Sequence, residues 1–168
     1  SENVAWVAPI IAHPNISGTF YVARQRVYKS TNNGGSWTAV SGNVNGTVAV
    51  RELAISKSNP SIMYATSSNR VFRSTDEGAT WSNVTRNLPS RTITSVSIHP
   101  DSSNIAFVTM SGFDTEKVFR TNNDGWTWQS IHSDLPDSPV NDLLIYPDDP
   151  NTTYFAATDI GIFVTMDA

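Results

Sequence analysis

The chain has 168 residues, 39% of them hydrophobic and only 15% charged, with a formal net charge of −4. Polarity carried by Ser, Thr and Asn is the composition of short strands joined by hydrogen-bonding turns, which excludes a helical bundle; the acidic balance, with no basic block, excludes a nucleic-acid partner that needs cations along its phosphates. There are no cysteines, hence no disulfide and no thiolate metal site, and no apolar run approaches the ~20 residues of a membrane-spanning helix.

The sequence opens at Ser1 with no signal peptide before it and reads as the start of a trimmed or mature fragment. A first inner strand is expected near Val7 or Ala8, followed by the β-rich runs Thr19–Ala23 and Val27–Lys29. Then comes Ser30-Thr31-Asn32-Asn33-Gly34-Gly35-Ser36-Trp37. The same order returns as Leu53–Ile55, Ile62–Thr66 and Val71–Arg73, ending in Ser74-Thr75-Asp76-Glu77-Gly78-Ala79-Thr80-Trp81. It returns again as Val96–Ile98, Ile105–Thr109 and Val118–Arg120, ending in Thr121-Asn122-Asn123-Asp124-Gly125-Trp126-Thr127-Trp128. A last copy runs through Leu143–Ile145, Thr153–Ala157 and Ile162–Val164 to Thr165-Met166-Asp167.

The shared motif is S/T-x-D/N-x-G-x-x-W, and its period of about 45 residues identifies an internal repeat. Each unit reads as four short strands, a to d, with Pro, Asn, Asp and Gly turns and no crossover helix, which makes an antiparallel meander. One meander cannot cover both of its faces, so neighbours stack, and radial stacking predicts an all-β fold of propeller blades; a linear solenoid is the weaker alternative. Blades are expected over about 7–42, 47–89 and 91–136, with a partial fourth over about 139–168.

The motif falls where strand c turns into strand d. Ser30, Asn32, Ser74, Asp76, Thr121, Asn123, Thr165 and Asp167 are expected to accept hydrogen bonds from turn amides. Gly34, Gly78 and Gly125 fit a position of positive φ, and Trp37, Trp81 and Trp128 are each expected to bury a ring against their own blade. The motif is therefore read as a structural staple. Its spacing lacks the carboxylates and terminal Glu of a calcium loop. The histidines His13, His99 and His132 are scattered, so no metal or cofactor is expected.

At these residues the sequence resembles the BNR (bacterial neuraminidase), or Asp-box, repeat superfamily, which includes sialidases, xyloglucanases, sortilin-type receptors and photosystem II assembly factors. Asn87-Leu88-Pro89, Asp134-Leu135-Pro136 and Thr158–Phe163 look most like propeller modules of secreted bacterial glycosyl-hydrolase-like proteins. The resemblance implies an extracellular or cell-surface location, and ligands on the upper face, formed by the d–a and b–c connections, with the motifs on the lower face. There the b–c connection Met110–Lys117 is longer than its counterparts and carries an aromatic and two acids. Phe113, Asp114 and Glu116, with Arg91 and Asp159, are the candidate ligand-binding residues; Arg24, Arg51, Arg70 and Asn141 share that face.

The expected function is a non-catalytic propeller module binding polysaccharide or protein, or spacing domains. The alternative is a fragment of a propeller glycoside hydrolase, xyloglucanase-like before sialidase-like, with Asp114, Glu116, Asp142 and Asp159 as candidate carboxylates. A sialidase needs three converging arginines, and Arg51 and Arg91 do not occupy matching repeat positions. The last blade, cut within its motif, is expected to expose an open face and edge, covered by the rest of a larger propeller or by another copy of the chain.

Overall fold

The computed structural model describes residues 2–166, so the motif position Asp167 lies outside the described residues. Among these residues there are fifteen strands and no helix. The first sheet holds β1 (Ile10–Ala12), β2 (Phe20–Ala23), β3 (Val27–Ser30) and β4 (Thr38–Ala39) in sequential order. The second holds β5 (Glu52–Ile55), β6 (Met63–Ser67), β7 (Arg70–Ser74) and β8 (Ser82–Asn83), and the third β9 (Ile93–Ile98), β10 (Ala106–Met110), β11 (Val118–Thr121) and β12 (Gln129–Ser130). The fourth has three strands, β13 (Val140–Ile145), β14 (Tyr154–Thr158) and β15 (Gly161–Thr165). All pairings are antiparallel between consecutive strands, which is the partial β-propeller that the repeat predicts.

The first inner strand begins at Ile10, later than expected. Pro9 has no N–H to give the ladder, although its carbonyl still accepts the Ala23 N–H at 3.1 Å.

Side chains alternate across each strand, so every blade has a forward and a backward apolar face. Tyr21, Ala23 and Val27 on the forward face of blade one pack with Leu53, Met63, Ala65 and Phe72 on the backward face of blade two. Tyr64 and Val71 meet Val96, Ala106, Val108 and Phe119 in the same way, and Phe107 and Val118 meet Leu143, Ile145, Tyr154 and Ala156. The core is thus three successive interfaces. Burial of this kind stabilises by about 1.5–3 kcal/mol per large side chain, so the blades stand by contact with one another.

A second repeated device rims these interfaces. On strand c, Lys29, Arg73 and Arg120 lie over the rings of Tyr21, Tyr64 and Phe107 at 5.3, 6.0 and 5.8 Å from the centroids. Lys29 reaches Glu77 of the next blade at 2.8 Å, and Arg73 reaches Asp124 at 2.6 Å. Lys29 holds the Glu77 carboxyl below its ordinary range, while burial pushes the Tyr64 phenol up to about 12.

The turn motif closes on itself. The hydroxyl oxygens of Ser30, Ser74 and Thr121 accept the N–H of Gly34, Gly78 and Gly125 at 3.0, 2.9 and 3.0 Å. The side-chain oxygens of Asn32, Asp76 and Asn123 accept the N–H of Ser36, Thr80 and Thr127 at 2.9, 2.8 and 3.0 Å. The three glycines have φ of 84°, 86° and 82°, which an L side chain adopts only with strain.

The tryptophans meet the expectation in part. Each ring covers its own glycine, where a Cβ would come 3.7, 3.4 and 3.6 Å from Trp37, Trp81 and Trp128. Trp128 is also held by the preceding blade: its Nε1 donates to Val84 O at 2.9 Å, and its backbone N–H donates to Asn87 Oδ1 at 3.0 Å. Trp81 packs on the cluster shared with blade one. Trp37 has no described blade before it and is 38% exposed, against 3% for Trp128. The Trp128 ring is an inter-blade staple, whereas Trp81 Nε1 donates to Gly78 O of its own turn at 2.9 Å.

Candidate functional site

The two ends of the blades are chemically distinct. At one end the c–d turns are tied to the a–b turns, through Asn33 N–H to Gly18 O, Glu77 N–H to Ser61 O and Asp124 N–H to Asn104 O, at 2.9 to 3.1 Å. At the other, the b–c turns are tied to the d–a linkers, through Val44 N–H to Gln25 O, Ile93 N–H to Ser68 O and Ser111 N–H to Thr92 O, at 2.9 to 3.0 Å. The second end is the upper face, and it carries the inner-strand starts.

A cavity of about 510 Å³ opens there, lined by Ala5, Trp6, Val7, Val48, Ala49, Arg51, Glu52, Ser68 and Thr94. That volume lies within the roughly 300–1,000 Å³ of small-molecule sites. Trp6 is fully exposed, which is unusual for the largest apolar side chain. Glu52 is half-buried, and desolvation raises its pKa, with the Asp142 charge adding to the rise and Arg51 opposing it.

Glu52, Ser95 and Asp142 hold the same position of the inner strand in successive blades, paired with Thr66, Thr109 and Ala157 respectively. Asp142 Oδ1 accepts the Ser95 hydroxyl at 2.6 Å and the Leu143 N–H at 2.8 Å. Next to Ser95, Thr94 bonds Val140 O at 2.6 Å. Sequence reasoning named Asp142 and Arg51 and missed Glu52 and Trp6. Extending the repeat alignment by one residue before Leu53, Val96 and Leu143 would have found Glu52.

The residues singled out from sequence fall on the same end of the fold. Phe113 is 57% exposed on the long b–c loop, and Asp114 and Glu116 are exposed beside it. The loop is held from below, not free. Lys117, fully buried, pairs with Asp137 at 2.6 Å and donates to Thr115 O, and Asp137 also accepts the Asp114 N–H at 2.9 Å. Lys117 therefore holds the Asp137 carboxyl below its ordinary range. The Arg91 guanidinium lies beside Gly112, 3.8 Å from where a Cβ would stand. Asp159 is on blade four, where Asn141, bulged out of the β13–β14 register, donates to it at 2.8 Å. Among the described residues no cluster of His, Asp or Glu has the makings of a metal site.

Comparison with known proteins agrees with the repeat. The sequence matches the Sortilin-Vps10 family (sortilin, neurotensin receptor 3) over residues 25–115 and again over 69–168. The chain belongs to this family. The two matches start one blade apart, as a repeat allows. No curated protein matches the chain.

Among solved structures it is similar to an ancestral GH74 enzyme, with 20% identity and a TM-score of 0.80 over 99% of this chain and 24% of that one. The GH74 enzyme of Niastella koreensis matches with 19% identity and a TM-score of 0.74, over 91% of this chain and 26% of that one. The GH74 xyloglucanase of Xanthomonas campestris matches with 13% identity and a TM-score of 0.72, over 89% and 26%. At these identities the likeness is one of fold, and the chain spans about a quarter of the length of the GH74 structures. No helix among the described residues is long and apolar enough to cross a membrane.

Proposed function

We propose that the chain is a non-catalytic propeller module of a secreted bacterial protein that binds polysaccharide on its upper face. The observation that carries this reading is Trp6, fully exposed on the rim of a cavity that also presents Arg51, Glu52, Ser68 and Thr94. An indole offers a flat apolar platform for the C–H face of a sugar ring, and the polar groups around it suit its hydroxyls. Phe113, with Arg91 beside its loop, adds a second aromatic on the same face. Asp142 is occupied in holding Ser95 and the Leu143 amide, which favours a positioning role for it over acid–base work.

The test is titration of the chain with plant, host and bacterial oligosaccharides, xyloglucan fragments included. Saturable binding that Trp6→Ala abolishes supports the reading. Uniform silence reduces the module to a scaffold.

One observation favours a second reading, in which the chain is a piece of a glycoside hydrolase. Desolvation, with the Asp142 charge adding to it, raises the Glu52 pKa, and such hydrolysis needs one carboxyl kept protonated as an acid with a second carboxylate nearby. Hydrolysis of a chromogenic glycoside by the chain, lost in Glu52→Gln, would place this reading first.

A further inference from the structure

Charge is divided unevenly along the chain. Residues 1–91 carry nine of the eleven Lys and Arg but four of the fifteen Asp and Glu, while residues 92–168 carry the other two cations and eleven acids. The first two blades and the linker after them are therefore cationic and the last two blades acidic, which the overall charge of −4 conceals.

On the upper face the cationic charge gathers round one turn, Ser68-Asn69, between β6 and β7. Arg70 opens β7 directly after it. On one flank the Arg51 N–H donates to Thr66 O at 2.8 Å. On the other, Asn69 Nδ2 donates to Ser90 Oγ at 2.9 Å, one residue before Arg91. Blade two packs against a neighbour on both sides, so these bonds lie in the interior of the blade row.

The three guanidiniums are unspent. Arg51, Arg70 and Arg91 are exposed, and none enters a side-chain hydrogen bond or ion pair among the described residues. Other cations are engaged: Arg26 pairs with Glu2, Lys29 with Glu77, Arg73 with Asp124 and Lys117 with Asp137. Of the acids in blade two, Asp76 and Glu77 stand in the c–d turn at the opposite end, and Glu52 alone shares the arginines' face. Arg51 and Ser68 also line the cavity of about 510 Å³, and the Arg91 guanidinium reaches Gly112 of the long loop.

We propose that this arginine arc binds the carboxylates of an acidic polysaccharide, a uronic-acid chain laid across blade two from the cavity towards the Phe113 loop. All three cations are Arg, whose planar fork pairs with a carboxylate through two parallel N–H bonds, where Lys would offer a point charge. A nucleic acid is the poorer occupant, because its dense phosphates would run onto blades three and four against Asp114, Glu116, Asp142 and Asp159. The inference rests on the polysaccharide reading and adds to it the charge of the ligand.

The probe is a labelled oligogalacturonate, titrated against the whole chain by fluorescence anisotropy beside its methyl-esterified form and a neutral xyloglucan fragment. The oligogalacturonate is expected to bind saturably, at least about tenfold tighter than either uncharged probe, and to weaken as salt is raised. Arg70→Gln and Arg91→Gln are each expected to weaken it by about three- to tenfold. Lys57→Gln removes an equal charge from the exposed a–b turn at the other end of blade two and is expected to leave binding unchanged. Xyloglucan bound as tightly as the oligogalacturonate overturns the proposal and leaves the polysaccharide reading standing; no saturable binding of any glycan overturns both. A loss in Lys57→Gln equal to that in Arg70→Gln, or a DNA oligonucleotide bound as tightly, also overturns the proposal, because the attraction would then be one of charge alone.

Discussion

Trp37 and Trp128 end the same turn in two different settings. Their turns close alike, with the hydroxyl-to-glycine bond at 3.0 Å in both and the next bond at 2.9 and 3.0 Å. Yet Trp37 is 38% exposed and Trp128 only 3%. The closing side-chain bonds of the turn lie within its own eight residues, whereas the Trp128 ring is held by the blade before it. One short motif therefore does two jobs: its polar residues satisfy a local backbone, and its tryptophan joins neighbours.

The widest gap between the two settings is expected on truncation. Trp128→Ala removes a buried ring and leaves its slot empty, at a cost of about 3–5 kcal/mol in denaturant unfolding. Trp37→Ala is expected to cost about 1 kcal/mol or less. Equal costs would mean that the ring acts within its own blade after all.

The glycines sharpen the same contrast. Gly34→Ala and Gly125→Ala share the strain of positive φ, of about 1–2 kcal/mol. At Gly125 the new Cβ would also come 2.9 Å from the Val84 Cβ of the preceding blade, while at Gly34 nothing but Trp37 is near. Overpacking adds about 1–3 kcal/mol, so Gly125→Ala is expected to be the more damaging by that margin in thermal unfolding.

The cation rim gives a smaller effect. Arg73 is 16% and its partner Asp124 41% exposed, so their pair is worth at most about 1 kcal/mol. Arg120 lies over Phe107 with no ion pair among the described residues. Added salt is therefore expected to narrow the difference between Arg73→Ala and the parent chain, and to leave that for Arg120→Ala unchanged.

The smallest effect lies within one turn. Hydrogen bonds from Thr80 hold the exposed Asp76 carboxyl below the ordinary value of 3.8. A lowered folded pKa gives stability that is present above the unfolded value and lost as pH falls through the folded one. Asp76→Asn, the residue type that blades one and three carry as Asn32 and Asn123, is expected to leave stability at neutral pH nearly unchanged. It should flatten the loss below pH 3.8, seen by acid titration of the fold.

These contrasts also mark what the sequence makes legible. The turn chemistry is readable because donor and acceptor lie two or four residues apart, as for Ser74 with Asp76 and Gly78. The Trp128 slot is not readable in that way, since its partners Val84 and Asn87 lie 44 and 41 residues earlier and only stacking brings them together. The site behaves similarly. The long loop with Phe113 stands out by its length, whereas Glu52 and Asp142 come into one field only when three inner strands are set side by side.

The staple itself is tested most directly by a double-mutant cycle between Trp128→Ala and Val84→Ala, read by denaturant unfolding. Coupling of about 0.5–3 kcal/mol is predicted, because the ring and the valine side chain share one buried cluster across the blade boundary. Additive losses, within about 0.5 kcal/mol, would contradict it and return the tryptophan to its own blade.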